Sequence, residues 1–190
     1  LKKVAVLGSG VMGSGIACHL ANVGMEVLML DIVTPNLSDS DSKDSTLRNK
    51  LVNTALQKTI KSKPAPLYHS SFASRIQTGN FEDDFEKITE SDWIIEVVVE
   101  NLKIKKQIFE KVDQFRKEGT LVSSNTSGIP INSMLENRSE DFKNHFFGSH
   151  FFNPARYLRL LEIIPTKHTN KETIDFMIDF GEKILGKSSV

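Results

Sequence analysis

Val4-Ala5-Val6-Leu7-Gly8-Ser9-Gly10-Val11-Met12-Gly13 is the stretch that decides the fold. A short apolar, β-branched run stops at a glycine, and a helix-period segment from Val11 to Val23 follows at once, closed by Gly24. The G-x-G-x-x-G between them has the spacing of a dinucleotide-binding turn. Gly8 permits the tight turn, Gly10 lets the backbone approach a pyrophosphate, and Gly13 allows close helix-to-strand contact. The first N–H groups of the helix, from Val11 and Met12 onward, then face the phosphate together with the Ser9 backbone. Val27 to Leu30 reads as the next strand, and Asp31 stands at its end, 18 residues after Gly13. A carboxylate there accepts hydrogen bonds from adenosine ribose hydroxyls. The tract after it holds further acids and no nearby Arg to receive a 2′-phosphate, which favours NAD over NADP.

Working outward, short β-rich runs alternate with helix-period segments along the whole chain. Strands are predicted at Arg75 to Gln77, Trp93 to Val99, Leu121 to Ser123, Phe146 to His150 and Leu160 to Ile164. Their near-continuous apolar character fits strands covered on both faces. Ile108, Phe109, Val112 and Phe115 recur at helical spacing, as do Ile174, Met177, Ile178, Ile184 and Leu185. The predicted fold is therefore α/β: a Rossmann-type, doubly wound, mainly parallel sheet with helices on both faces, in one domain over residues 1–190. One stretch breaks the rhythm. Asp31 to Ser74 is too long for a simple crossover; a solvated, mobile serine and aspartate tract at Ser38 to Thr46 is followed by a Lys-rich helix to about Lys63, ended by Pro64 and Pro66. That tract lacks the mid-loop glycine and closing Glu of a calcium loop.

Composition excludes several functions. The 190 residues carry 24 Lys+Arg against 24 Asp+Glu, so no excess of cations is present for non-specific nucleic-acid or membrane-surface binding. The single cysteine, Cys18, makes neither an internal disulfide nor a multi-thiolate metal site; no metal is expected, and a reducing, cytoplasmic compartment is. Cys18, within the first helix, reads as packing. No apolar run approaches the roughly 20 residues that span a bilayer.

Two carboxylates are out of place. Glu162 lies within Leu160-Leu161-Glu162-Ile163-Ile164, and Glu96 follows Ile94-Ile95. Each needs a hydrogen-bond donor if it is buried and ionised. His145 and His150, flanking Phe146-Phe147-Gly148-Ser149, are the candidate donors. A His beside a buried carboxylate is held in one tautomer and suits general-base chemistry. Spacing alone does not say which carboxylate takes that role.

GSGVMGSG (Gly8 to Gly15), IEVVVENLKIK (Ile95 to Lys105), SNTS (Ser124 to Ser127), GSHFFNP (Gly148 to Pro154) and LLEII (Leu160 to Ile164) together resemble the 3-hydroxyacyl-CoA dehydrogenase family. The motifs run in order over essentially the whole chain, and HFFNP with a Glu twelve residues after its His is the most specific. The resemblance implies reversible oxidation of an (S)-3-hydroxyacyl-CoA by NAD, a step of fatty-acid β-oxidation. It places His150 as the catalytic base, Glu162 as the acid that orients it, and Ser127 near the substrate oxygen and nicotinamide. Asn153, Glu100 and Lys105 fall on cofactor-contacting positions, although Lys103, Lys105 and Lys106 also read as a solvated helix face. Lys58 and Lys61, with Lys63, lie on an inserted helical hairpin that in this family reaches the CoA moiety. The hairpin and PARYLRLLEIIPTK are similar to long bacterial fatty-acid oxidation proteins.

In this family a helical second domain supplies a further active-site asparagine and the homodimer contact. No counterpart of it is expected within these residues, which end about where the last strand and interdomain linker of the first domain are expected to begin. The chain is thus expected to be the NAD-binding half of an acyl-CoA enzyme, poorly active alone. Two rival readings are a non-catalytic NAD-binding relative and another dehydrogenase that uses a catalytic Lys or Cys. The first has no need of His150 and Glu162 together, and Cys18 is badly placed for the second.

Overall fold

A computed structural model describes residues 1–190. Its strands are β1 (Lys3–Leu7), β2 (Glu26–Asp31), β3 (Ile76–Asn80), β4 (Trp93–Glu96), β5 (Leu121–Ser124), β6 (Phe146–Phe151), β7 (Leu160–Pro165) and β8 (Ser188–Ser189). They form one sheet in the order β3-β2-β1-β4-β5-β6-β7-β8. All neighbours are parallel except β6 and β7. The helices are α1 (Val11–Asn22), α2 (Ser45–Arg48), α3 (Lys50–Ile60), α4 (Leu102–Phe115), α5 (Glu140–Asn144) and α6 (Lys171–Lys183). Strand order reverses between β1 and β4, so the crevice at the carboxyl ends of these two strands is where such a sheet binds ligands.

Two apolar cores cover the faces. One packs Ile16, Leu20, Val52, Leu56, Met177 and Phe180 against Val4, Val6 and Trp93; the other packs Ile108, Phe109, Val112 and Phe142 against Ala5, Leu7, Ile94 and Phe146. The run Val4 to Leu7 is wholly buried, which is why it shows no alternation in sequence. Trp93 stacks on Phe147 with centroids 6.4 Å apart and donates its indole N–H to Ser123 at 3.0 Å, so its one polar atom is satisfied in the core.

Three elements differ from the sequence reading. β4 stops at Glu96 rather than Val99, because the Glu96 side chain itself accepts the Val98 N–H at 2.8 Å and turns the chain toward α4. β3 runs on to Asn80, whose side chain accepts the N–H groups of Glu82 and Asp83, both at 2.9 Å. The inserted hairpin is lopsided. Its outgoing arm is the one-turn α2, capped by Asp44, and then α3; its return, through Pro64 and Pro66, holds no α-helix and only a 3-10 segment at Ser70–Arg75. Prolines lack the N–H a second helix requires. Within the serine and aspartate tract, Asp41–Lys43 form a 3-10 turn. No helix is long and apolar enough to cross a membrane.

Candidate active site

The glycine turn is closed by backbone geometry that other residues resist. Gly8 has φ of +111°, and a Cβ there would lie 2.6 Å from the Val97 carbonyl oxygen. At Gly13 a Cβ would lie 2.0 Å from the Gly8 carbonyl oxygen, so α1 sits on the turn only because that position is glycine. Gly10 differs: nothing stands within 4 Å of where its Cβ would be. The backbone is open to a ligand at the position where a pyrophosphate is expected. The Ser14 hydroxyl donates to the Ser9 carbonyl at 2.7 Å and braces the turn from within.

Asp31 comes to this turn from the end of β2. Its Oδ2 accepts both the backbone N–H and the hydroxyl of Ser9, each at 2.6 Å, and its Oδ1 accepts the Ile32 N–H at 2.7 Å. Three donors fix the carboxylate beside the glycine loop. The fold also returns Arg48 to this neighbourhood, since its carbonyl accepts the Thr34 N–H at 2.9 Å, a proximity the sequence did not reveal. That guanidinium is engaged by Glu82 at 2.7 Å and by Asp83 at 2.7 Å. Its charge is already matched by two acids, which disfavours a 2′-phosphate partner.

His150 and Glu162 are cross-strand partners in the antiparallel β6–β7 pair. Their side chains meet with Nδ1 2.6 Å from Oε2. With the carboxylate accepting, Nδ1 carries the proton and Nε2 keeps a free lone pair, the tautomer a base requires. The imidazole packs on Phe152 at a centroid distance of 4.4 Å and lines a cavity of about 340 Å³ together with Met12, Glu100, Ser127 and Asn153. Glu162 is less buried than its apolar neighbours in sequence suggest, with its side chain 39% exposed. Leu161 and Ile163 turn into the core, whereas Leu160, Glu162 and Ile164 share the more open face. His145 takes no part: its Nδ1 faces the Asp141 carbonyl at 2.8 Å on α5.

The second odd carboxylate has a different partner. Glu96 is fully buried and bonds Lys105 Nζ at 2.7 Å, the Ser124 hydroxyl at 2.5 Å and the Val98 N–H. Burial raises its carboxyl above the ordinary range despite those three donors. Lys105 is 1% exposed, which corrects the solvated-face reading of that lysine; α4 begins at Leu102 and turns this position inward. The ammonium also lies 3.2 Å from Glu100. Partial desolvation works against the Glu100 charge, but the Thr126 hydroxyl, the Gly128 N–H and Lys105 outweigh it and hold that carboxyl below its usual range. Glu96, Lys105 and Glu100 thus tie the ends of β4 and β5 to the loop carrying Ser127. Asn125, which the sequence reading passed over, adds a link by accepting the Phe151 N–H at 2.9 Å. It stands in SNTS, the motif that also carries Ser127.

A second cleft, of about 440 Å³, opens between the glycine loop and the insertion. Ser9, Gly10, Val11 and Lys58 line it, and Asn153 borders both cavities. Lys61, at the C-terminal cap of α3, does not line it, but Lys63 does. Cys18 is buried and its thiol is pushed up to about 12 by desolvation, as expected of a packing residue.

Residues 3–190 match the family model described as 3-hydroxyacyl-CoA dehydrogenase, NAD binding domain. The chain belongs to the 3-hydroxyacyl-CoA dehydrogenase family. It is 57% identical to a probable 3-hydroxyacyl-CoA dehydrogenase of Bacillus subtilis, covering all of this chain and 25% of that protein. It is 44% identical to a probable 3-hydroxyacyl-CoA dehydrogenase of Deinococcus radiodurans, again over the whole chain but 53% of the relative. Among solved structures, (S)-3-hydroxybutyryl-CoA dehydrogenase from Ralstonia eutropha superposes with a TM-score of 0.75 at 28% identity, over all of this chain and 62% of the other. The chain therefore spans between a quarter and about half of these curated relatives. The cofactor of this domain family is NAD, and the open approach at Gly10 with the fixed Asp31 carboxylate fits it.

Proposed function

We propose that this chain is the cofactor-binding and proton-transferring half of an enzyme that oxidises (S)-3-hydroxyacyl-CoA to 3-oxoacyl-CoA in fatty-acid β-oxidation. The observation that carries the reading is the His150–Glu162 pair, 2.6 Å apart, opening on a cavity that also meets the glycine loop's helix at Met12. A structural histidine needs no such access. Bound NAD supplies the hydride acceptor. His150 Nε2 takes the 3-hydroxyl proton, and Glu162 orients the ring through Nδ1 and offsets the imidazolium charge that develops. General-base help of this kind contributes about 10²–10⁴-fold. Ser127 holds the substrate oxygen, Asn153 and Glu100 position the nicotinamide end, and Lys105 supports Glu100 from beneath. Gly8 to Gly13 and Asp31 hold the adenosine and diphosphate end.

The acyl-CoA enters from the insertion side, where Lys58 faces the cleft. A further segment of the full-length protein completes the substrate site and makes a homodimer, so residues 1–190 bind NAD but turn over slowly alone. The working compartment is the cytoplasm. The test is His150→Gln in the full-length protein, with acetoacetyl-CoA reduction and NADH binding measured side by side. Turnover is expected to fall at least about 10²-fold with NADH affinity intact. Unchanged turnover refutes His150 as the base.

A further inference from the structure

The cleft between the glycine loop and the insertion is lined by Lys58, Lys63 and Arg156 and by no Asp or Glu, in a chain of zero formal net charge. Three cations facing one space without a counter-charge mark it for an anion. The lysines are flexible point charges, but Arg156 is built into place. Its Cζ lies 4.4 Å from the ring centroid of Tyr68 and 4.9 Å from that of Tyr157. One nitrogen, Nη1, donates to the carbonyls of Ala65 at 2.6 Å and Leu67 at 2.9 Å. The surroundings are anchored as well: the Tyr157 hydroxyl donates to Ala65 O at 2.8 Å, and the Asn22 amide grips Pro66 O at 2.8 Å and the Tyr68 N–H at 2.7 Å. Nε and Nη2 make no bond within the chain, and neither is among the buried polar atoms left without a partner. The guanidinium is thus held by one nitrogen between two aromatic rings, with two donors still to be used. Such a planar fork matches two oxygens of a phosphate, and its fixed geometry removes the ordering cost a free side chain would carry.

We infer that Arg156 is a phosphate-recognising fork, which with Lys58 and Lys63 binds a phosphate group entering the cleft beside Gly10. This deepens the acyl-CoA reading and rests on it for one of two sources, since coenzyme A and the dinucleotide both carry phosphates to this cleft. The experiment uses the full-length protein and the variants Arg156→Gln and Arg156→Lys. It measures KM for acetoacetyl-CoA and for acetoacetyl-pantetheine, which lacks the nucleotide phosphates, and the Kd for NADH. Loss of about tenfold or more of the KM preference for acetoacetyl-CoA, with the pantetheine thioester unaffected, places the coenzyme A phosphates on the fork. Loss of NADH affinity with the thioester preference intact places the dinucleotide phosphates there. The lysine variant keeps the charge without the fork, and it is expected to share the loss. No change in either arm overturns the inference, and so does an equal loss on the phosphate-free thioester, which would mark Arg156 as loop support alone. If wild-type protein fails to use either thioester, the functional reading fails, and the NADH arm still judges the fork.

Discussion

Replacing Glu162 by Gln removes the charge that faces His150 Nδ1 across 2.6 Å. The amide would still present an oxygen to the Nδ1 proton, so ring orientation is largely kept while the negative charge is lost. With Nδ1 and Oε2 2.6 Å apart, the charge centres of an imidazolium and the carboxylate lie about 4 Å from one another. Their attraction is about 1 kcal/mol at a bulk-water dielectric and about 4 kcal/mol at the effective value near a protein surface. The Glu162 side chain is 39% exposed and that of His150 20%, so solvent screening moves the figure toward the lower part of this range. About 1–3 kcal/mol corresponds to roughly a 5- to 150-fold fall in the rate of proton transfer. The assay is single-turnover oxidation of 3-hydroxybutyryl-CoA by the full-length protein, with NADH affinity measured in parallel. Glu162→Ala, which loses the acceptor as well as the charge, is expected to fall further than Glu162→Gln. A rate within about twofold of wild type for both variants refutes an electrostatic role for Glu162.

Three other outcomes follow from buried groups. Lys105→Met leaves Glu96 enclosed without its counter-ion and is expected to cost about 3–5 kcal/mol in urea denaturation. Because burial favours the protonated Glu96 in the folded state, that deficit shrinks as pH falls toward 4.5, the carboxyl's ordinary value; a deficit that grows on acidification contradicts the assignment. His19, 2% exposed, is pushed down from 6.5 to about 4, chiefly by desolvation and then by Lys187. Its neutral ring favours the folded state above pH 6.5, and about 3 kcal/mol of that advantage is lost between pH 6.5 and 4 as the unfolded chain takes up the proton first. His19→Gln flattens stability over that window, and an unchanged pH profile counts against it. Gly13→Ala, whose methyl would meet the Gly8 carbonyl, is expected to abolish cofactor binding and lower the melting temperature, as circular dichroism and calorimetry would register.

Much of the molecule is legible in the sequence because its signals are local. The run Val4 to Gly13 carries strand, turn and helix start in ten consecutive residues, and the structure follows it residue for residue. Asp31 is equally plain as a strand-end acid, though its triple anchoring on Ser9 and Ile32 is not. The histidine and glutamate also lie close in sequence, but that they face one another depends on the antiparallel register of β6 and β7. Nothing in the residue types predicts an antiparallel pair within a parallel sheet.

The less legible parts depend on chain direction and distance. Glu96 invited a histidine partner, yet its donor is a lysine nine residues on, turned inward by where α4 starts. The apolar Leu160 to Ile164 concealed an ordinary alternation because Leu160 and Ile164, although hydrophobic, are 38% and 39% exposed. Nothing in the sequence around Asn153-Pro154 singles out Arg156. Its stacking on Tyr68, 88 positions earlier, arises only when the insertion folds back over the loop after β6.

The most direct test of the account is a single-turnover experiment on the full-length protein, first titrated with NADH and NADPH and then mixed with acetoacetyl-CoA. Binding at least about tenfold tighter is expected for NADH, with rapid loss of bound-NADH fluorescence on mixing as 3-hydroxybutyryl-CoA forms. Equal affinity for the two dinucleotides contradicts the role given to Asp31. NADH that binds tightly and is never oxidised by the thioester contradicts the reaction built on His150 and Glu162.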